Sequence, residues 1–169
     1  MIRLEKTRFG TITLDESAQI KFPRGLIGFS TETTFALLER ERGPIAYLQS
    51  LMTPGIALPV IDARFLQPAY PDAAGDHLAG LAGVEPDDLL VLVVLAIEPD
   101  DGSLRANLLA PLVVDAKNRI GAQILLDPER YGPSVQIAEA MAKRTAPPTS
   151  GTRLVSTAPV PVIELATTG

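Results

Sequence analysis

Few residues of this chain are equipped for chemistry, and their spacing argues against most reactions. His77 is the only histidine and there is no cysteine. Thiolate metal sites, a cysteine nucleophile and any histidine-containing metal cluster are therefore excluded, and His77 has no orienting partner near it in sequence that would make it a general base. Ser30, Ser50 and Ser103 lie outside any Gly-x-Ser-x-Gly elbow that would expose a nucleophile. The acidic pairs Asp87-Asp88 and Asp100-Asp101 have the right groups for a carboxylate dyad or a divalent cation. Cation loops need more oxygen ligands in a closer frame, however, and both pairs sit among turn residues, where solvated acids are ordinary. Gly25 and Gly28 do not form a phosphate cradle, because no Gly-x-Gly-x-x-Gly and no Gly-Lys-Ser/Thr opens a helix there. The sequence assigns no catalytic residue, no metal ligand and no cofactor.

What remains is the exterior. The chain has 169 residues, enough for one domain that buries about 70% of its unfolded surface. Fifteen Lys and Arg against twenty Asp and Glu give a formal charge of -5, which repels phosphate and disfavours direct nucleic-acid binding. Three Tyr, five Phe and no Trp are also too few for a base-stacking platform. An acidic body is instead matched to a basic protein partner, where complementary potential speeds association. The chain opens with mixed charges rather than a basic segment followed by an apolar one, so no signal peptide is expected. The longest apolar run, Leu89 to Ile97, has nine residues, against about 20 for a membrane helix. With no cysteine for an oxidising compartment to pair, the expectation is a cytoplasmic protein that does not engage a membrane.

The elements that must present this exterior read as all-β, mainly antiparallel, forming a small barrel or strongly coiled sheet with one or two short helices. Short apolar runs broken by Gly, Pro, Asp and Ser recur along the first 130 residues or so. Ile2, Leu4, Ile12 and Leu14 alternate with polar neighbours around Arg8-Phe9-Gly10, predicting a half-buried hairpin. Further strands are predicted over 20–22, 35–39, 45–50 and 56–62. The strongest signal is a hairpin over 89–115, turning at Pro99-Asp100-Asp101-Gly102-Ser103. Its first strand is apolar throughout, which predicts cover on both faces. Pro111 removes a ladder donor from the return strand, predicting a bulge or free edge. Gly10, Gly25, Gly28 and Gly102 are the expected turn glycines. Asn107 and Gln123, polar within apolar strands, are expected to satisfy backbone groups. Helices are predicted over 76–81 and over 134–144, the second with Ser134 as its cap. The barrel domain is expected to span 1–132, followed by a C-terminal extension over 133–169. In that extension Ala146-Pro147-Pro148-Thr149-Ser150-Gly151-Thr152 has linker composition, and 153–165 reads as an added edge strand, a docking peptide or a disordered tail.

Two stretches are distinctive as letters: Phe22-Pro23-Arg24-Gly25-Leu26-Ile27-Gly28-Phe29, and Ala106-Asn107-Leu108-Leu109-Ala110-Pro111-Leu112-Val113-Val114-Asp115. With Thr7-Arg8-Phe9-Gly10, Leu48-Gln49-Ser50 and Gly121-Ala122-Gln123-Ile124-Leu125 they follow the order and spacing of one family. Over 2–127 the chain resembles the flagellar assembly factor FliW family. The resemblance implies a small bacterial cytoplasmic protein that is not an enzyme. It also implies two partners: flagellin, bound in a chaperone-like way, and the RNA-binding translational regulator CsrA. The alternative is a small β-barrel that binds a ligand or holds an enzymatic site, since barrels often carry a cavity at one mouth.

For an interaction protein, contact surfaces combine buried anchors with a charged rim. Phe65 and Tyr70 lie in the longest non-periodic stretch, with Pro68 and Pro71, and read either as anchors on a stiff loop or as plugs for one barrel end. This stretch departs from the family in carrying Arg64, Gln67 and Ala69 where aromatic and acidic residues are usual. Asp87, Asp88, Glu98, Asp100 and Asp101 bracket the central strand and read either as a negative rim for a basic partner or as solubilising turn residues.

Overall fold

The structure, a computed structural model, describes residues 1–40, 43–66, 79–80, 82–129, 135–136 and 163–165. Strands β1 (Ile2–Thr7) and β2 (Gly10–Leu14) form a separate hairpin, with a bulge between Leu4 and Thr7. Lys6 takes φ +60° at that bulge. The larger sheet comprises β3 (Ile20–Lys21), β4 (Thr34–Arg40), β5 (Ile45–Ser50), β6 (Ala57–Asp62), β7 (Leu89–Ile97), β8 (Leu104–Ala106), β9 (Leu112–Asp115), β10 (Ile120–Gln123), β11 (Val135–Gln136) and β12 (Ile163–Leu165). Seven of these close a ring in the order β7-β6-β5-β4-β3-β10-β9 and back to β7. All the ring pairings are antiparallel except β3 with β10, which are parallel and meet through the single pair Lys21 and Ile120.

The ring closes because the return strand after β7 splits in two. Leu95 to Ile97 pair with β8, and Leu89 to Leu92 pair with β9. Between them residues 107–111 bulge outward, with Pro111 immediately before β9. The Asn107 N–H reaches Val94 O at 3.0 Å, and its side-chain Oδ1 accepts from Leu109 N at 3.1 Å. Asn107 thus satisfies the backbone that the bulge frees.

Alternation along the strands sends apolar residues to both barrel faces. The interior is filled by Ile20, Phe22, Phe35, Leu37, Leu48, Val60, Leu92 and Leu112, with Phe22 and Phe35 edge to face at 5.5 Å. Outside β4 and β5, Ala36 and Leu38 are covered by the β1–β2 hairpin through Leu4, Ile12 and Leu14. Outside β6, β7 and β9, Ile61, Val93, Leu95 and Val113 are covered by Ala63, Leu66, Leu108 and Leu126. The all-apolar β7 is therefore buried on both faces for most of its length. Its end differs from the expectation: Ala96 and Ile97 run past the covering elements into solvent.

Helical structure among the described residues is limited to 3₁₀ turns at Glu16–Ala18, Ala63–Leu66 and Pro86–Asp88 and to the α-helical residues Ala79, Gly80 and Ala82. The helix predicted over 76–81 is helical at Ala79 and Gly80, its other residues lying outside the described set. The start of the helix predicted over 134–144 is corrected: Val135 and Gln136 form β11, antiparallel to Ala106 and Arg105 of β8. The outer edge of β8 offers ladder partners that outweigh a helical period. Residues 137–144 lie outside the described set. Within the C-terminal stretch, β12 lies parallel to β4 at Leu38–Arg40, on the edge that the short β3 leaves unpaired.

Candidate functional site

Just past β3 the chain folds into a tight turn that leans over β10. Gly25 N–H bonds to Phe22 O at 2.8 Å, and Leu26 and Phe29 exchange backbone bonds of 3.2 and 2.8 Å, leaving Ile27 and Gly28 at the tip. Gly25 has φ +65°, and a Cβ there would lie 2.5 Å from Ser30 O. Only glycine fits at that position. Gly10, Gly28 and Gly102 also have positive φ. Leu26 is buried as the anchor of the turn, whereas the Ile27 side chain is 61% exposed. A side-chain amide fastens the turn to the barrel: Gln123 Oε1 accepts from Ile27 N at 2.8 Å, and Gln123 Nε2 donates to Ala110 O at 3.0 Å.

Between this turn and β10 lies a groove of about 760 Å³, lined by Pro23, Leu26, Ile27, Ile120, Ala122 and Ile124 among others. Ile120 is 50% exposed at one end, and Leu125, 74% exposed, continues the line of β10. The main chain of β10 is asymmetric. Ile124 N–H reaches Pro111 O at 3.0 Å and Leu126 N–H reaches Leu109 O at 2.8 Å, so even-numbered residues serve the β9 side. The main-chain groups of the odd-numbered residues point the other way, toward the groove. Arg119 O accepts from Lys21 N at 2.9 Å, but the chain turns away at Pro23. Beyond Gly121 the N–H and C=O groups of Gln123 and Leu125 therefore have no strand beside them among the described residues. Arg24 is exposed in the groove lining, and Lys21 is exposed on β3 opposite Ile120; neither has an ion-pair partner among the described residues.

The acidic residues do not gather into one rim. Asp87 and Asp88 occupy the 3₁₀ turn before β7, and Glu98, Asp100 and Asp101 lie beyond its other end. A nine-residue strand places the two groups roughly 25–30 Å apart. At the tip, Glu98 meets Arg105 Nε at 3.4 Å. The Asp101 carboxylate accepts from Ser103 N at 2.8 Å, and Ser103 holds its pKa below the usual range. At the other end, Asp88 O accepts from Ala116 N at 2.9 Å, bringing Asp115 alongside. Burial alone would raise the pKa of Asp115, but bonds from Asn118 N at 2.9 Å and Asn118 Nδ2 at 2.6 Å, with help from Lys117, hold it low.

Phe65 packs half-buried beside the fully buried Leu66 on the outer face of β7. Arg64 is tied to the buried Asp62, its Nη2 2.6 Å from Oδ2 and its Nε 3.0 Å from both oxygens. That bond raises the Arg64 pKa and cancels its charge locally. Tyr70 and His77 lie outside the described residues.

Sequence reasoning passed over Ile27, Ile120 and Leu125 as contact candidates. Ile27 gave one signal, being a large apolar residue at a two-residue turn tip. The serine-carboxylate pair in the structure is built for support. The Ser50 hydroxyl donates to Glu32, and its oxygen accepts from Met52 N at 3.0 Å and Thr53 N at 2.9 Å. Thr53 Oγ1 donates to Glu32 at 2.7 Å. Ser50 is fully buried with its oxygen engaged, which leaves no lone pair directed at a substrate. Among the described residues no three His, Cys, Asp or Glu side chains are grouped to hold a metal, and no helix is long and apolar enough to cross a membrane.

A profile of the family described as FliW protein matches residues 3–137. The flagellar assembly factor FliW of Syntrophus aciditrophicus (strain SB) is 35% identical over 132 residues, covering 77% of this chain and 84% of the relative. That of Treponema pallidum (strain Nichols) is 32% identical over 146 residues, covering 86% and 97%. A crystal structure of the flagellar assembly factor FliW superposes with a TM-score of 0.67 at 26% identity, covering 80% of this chain and 96% of that one.

Proposed function

Because this chain belongs to the FliW family of flagellar assembly factors, we propose that it acts as a cytoplasmic docking protein whose output is competition between two partners, flagellin and CsrA. Bound to flagellin, it shields an unassembled subunit in a chaperone-like way. Freed of flagellin, it binds CsrA and relieves the repression of flagellin translation. No bond is made or broken, and neither nucleic acid nor membrane is contacted directly. The free flagellin concentration then sets how much of the protein is left for CsrA.

Family membership is the observation that carries this reading, and the electrostatics support it. A regulator that grips RNA presents a basic surface, and a body of formal charge -5 with acids at both ends of β7 attracts such a surface at long range. Calorimetric titration with CsrA and with flagellin from the same genome, singly and in competition, tests it. Saturable binding of each, with the first partner displaced by the second, is the expected result. Binding of neither, or simultaneous binding of both, would refute partner exchange.

A further inference from the structure

We propose that the groove between the Phe22 to Phe29 turn and β10 receives an extended segment of flagellin as an added β-strand, its main chain on the free edge of β10 and a carboxylate against Arg24. The proposal rests on the docking reading above and assigns it a place and a mode.

Three features of the groove converge on an extended peptide. The N–H and C=O groups of Gln123 and Leu125 face it with no strand alongside among the described residues, so an incoming main chain finds a ready ladder. Ile27, Ile120, Ala122 and Ile124 line it, which suits the apolar side chains that alternate along a strand. Edges are ordinarily blunted by charge or proline along their length. This one carries Ala122 and the exposed Leu125 instead, and the Gln123 side chain fixes the position of the turn at Ile27.

Charge selects the occupant. Arg24 is the one charged residue among those lining the groove, and it has no ion-pair partner among the described residues. A basic RNA-binding regulator is the wrong sign here, whereas a peptide bearing a carboxylate is the right one. The register also bears on mutual exclusion. Ile120 pairs with Asp115, and Asp115 with Leu89, which puts the Asp87-Asp88 corner about 10 Å, two strand spacings, from the Ile120 end of the groove. A folded regulator on that corner would crowd that end of the groove.

The test titrates unassembled flagellin of the same genome, and separately CsrA, into the full chain and into Arg24→Glu, Ile27→Asp and Leu125→Pro. Arg24, Ile27 and Leu125 are exposed, and the Leu125 N–H is not one that β9 uses, so melting temperatures should match the wild type. Flagellin affinity should fall by about tenfold or more in each variant while CsrA affinity holds within about twofold. In the wild-type complex with flagellin, amide exchange at Gln123 and Leu125 should slow. If flagellin binds all three variants as it binds wild type, or those amides stay unprotected, the groove is refuted while the docking reading stands. If wild type binds neither partner, the docking reading falls first. A concentration-dependent homodimer abolished by Leu125→Pro would assign the groove to a second copy and overturn the proposal.

Discussion

Gly121 is the residue on which packing around β10 turns, and replacing it with alanine gives a quantitative test. An added Cβ would lie 2.5 Å from Phe22 Cε1 and 2.6 Å from Cζ, where carbon contacts settle near 3.5–4.0 Å, so the ring must retreat by about 1 Å. It has little room: Phe22 is fully buried and packs edge to face with Phe35, the ring centres 5.5 Å apart. Overpacking of this kind costs about 1–3 kcal/mol, and spoiling the aromatic contact adds about 0.5–1.5 kcal/mol. Gly121→Ala should therefore lose about 2–4 kcal/mol in urea titration at constant m-value, with a melting temperature lowered by about 5–15 °C. Phe22→Leu shortens the obstructing ring and by itself costs about 1–2 kcal/mol through the space it leaves. Since each change relieves the other, the double variant should be less destabilised than the sum of the two by at least about 1 kcal/mol. Additivity within about 0.5 kcal/mol would refute this account of the β10 packing.

Arg64→Ala strands the buried Asp62 carboxylate with a single main-chain donor, from residue 64 at 2.8 Å. Because the Arg64 side chain is 44% exposed and water reaches the pair, the loss should be about 2 kcal/mol rather than the full cost of breaking a buried pair, as chemical denaturation will show. The lowered Asp115 pKa means that its folded carboxylate binds protons less readily than the unfolded one. Its contribution is present above the unfolded pKa, about 3.9, and is lost as pH falls through the folded value. Asp115→Asn should thus flatten the stability profile below about pH 4 and leave its shape near neutrality unchanged; an unchanged acid limb would count against the Asn118 bonds as the cause. Asp100→Lys, at the exposed hairpin tip, should leave stability within about 0.5 kcal/mol. If the tip steers CsrA, it should slow association and weaken the salt dependence in stopped-flow measurements. If the Asp87-Asp88 corner steers it, the rates will not move.

Strands were legible where local chemistry alone decides them. Alternation around Arg8-Phe9-Gly10 and the Asp-Gly turn between two apolar runs are both local signals, and the structure has hairpins at both places. Gln123 and Asn107 were readable as backbone partners because a polar residue in an apolar strand has few other uses. Val135 was misread because helical spacing is local while the edge of β8 that captured it lies some thirty residues upstream. The acidic residues form two groups rather than one for a metric reason: they bracket a strand whose length carries them apart. The groove was invisible because Ile27 and Gln123 meet across 96 residues of sequence, and no local pattern reports that a strand has stopped short and left its neighbour's edge bare.

The single parallel pair between Lys21 and Ile120 also dictates when this molecule can come into being during synthesis. A nascent chain that has left the ribosome only as far as β9 lacks β10, the strand that joins β3 to β9. Contacts that span so much sequence are paid for in loop entropy before they return anything, and at about 5–20 residues per second the delay lasts several seconds. Closure, and with it every surface assembled around β10, therefore waits until β10 itself has been made, so a copy that stops at β9 is still without the groove proposed for flagellin.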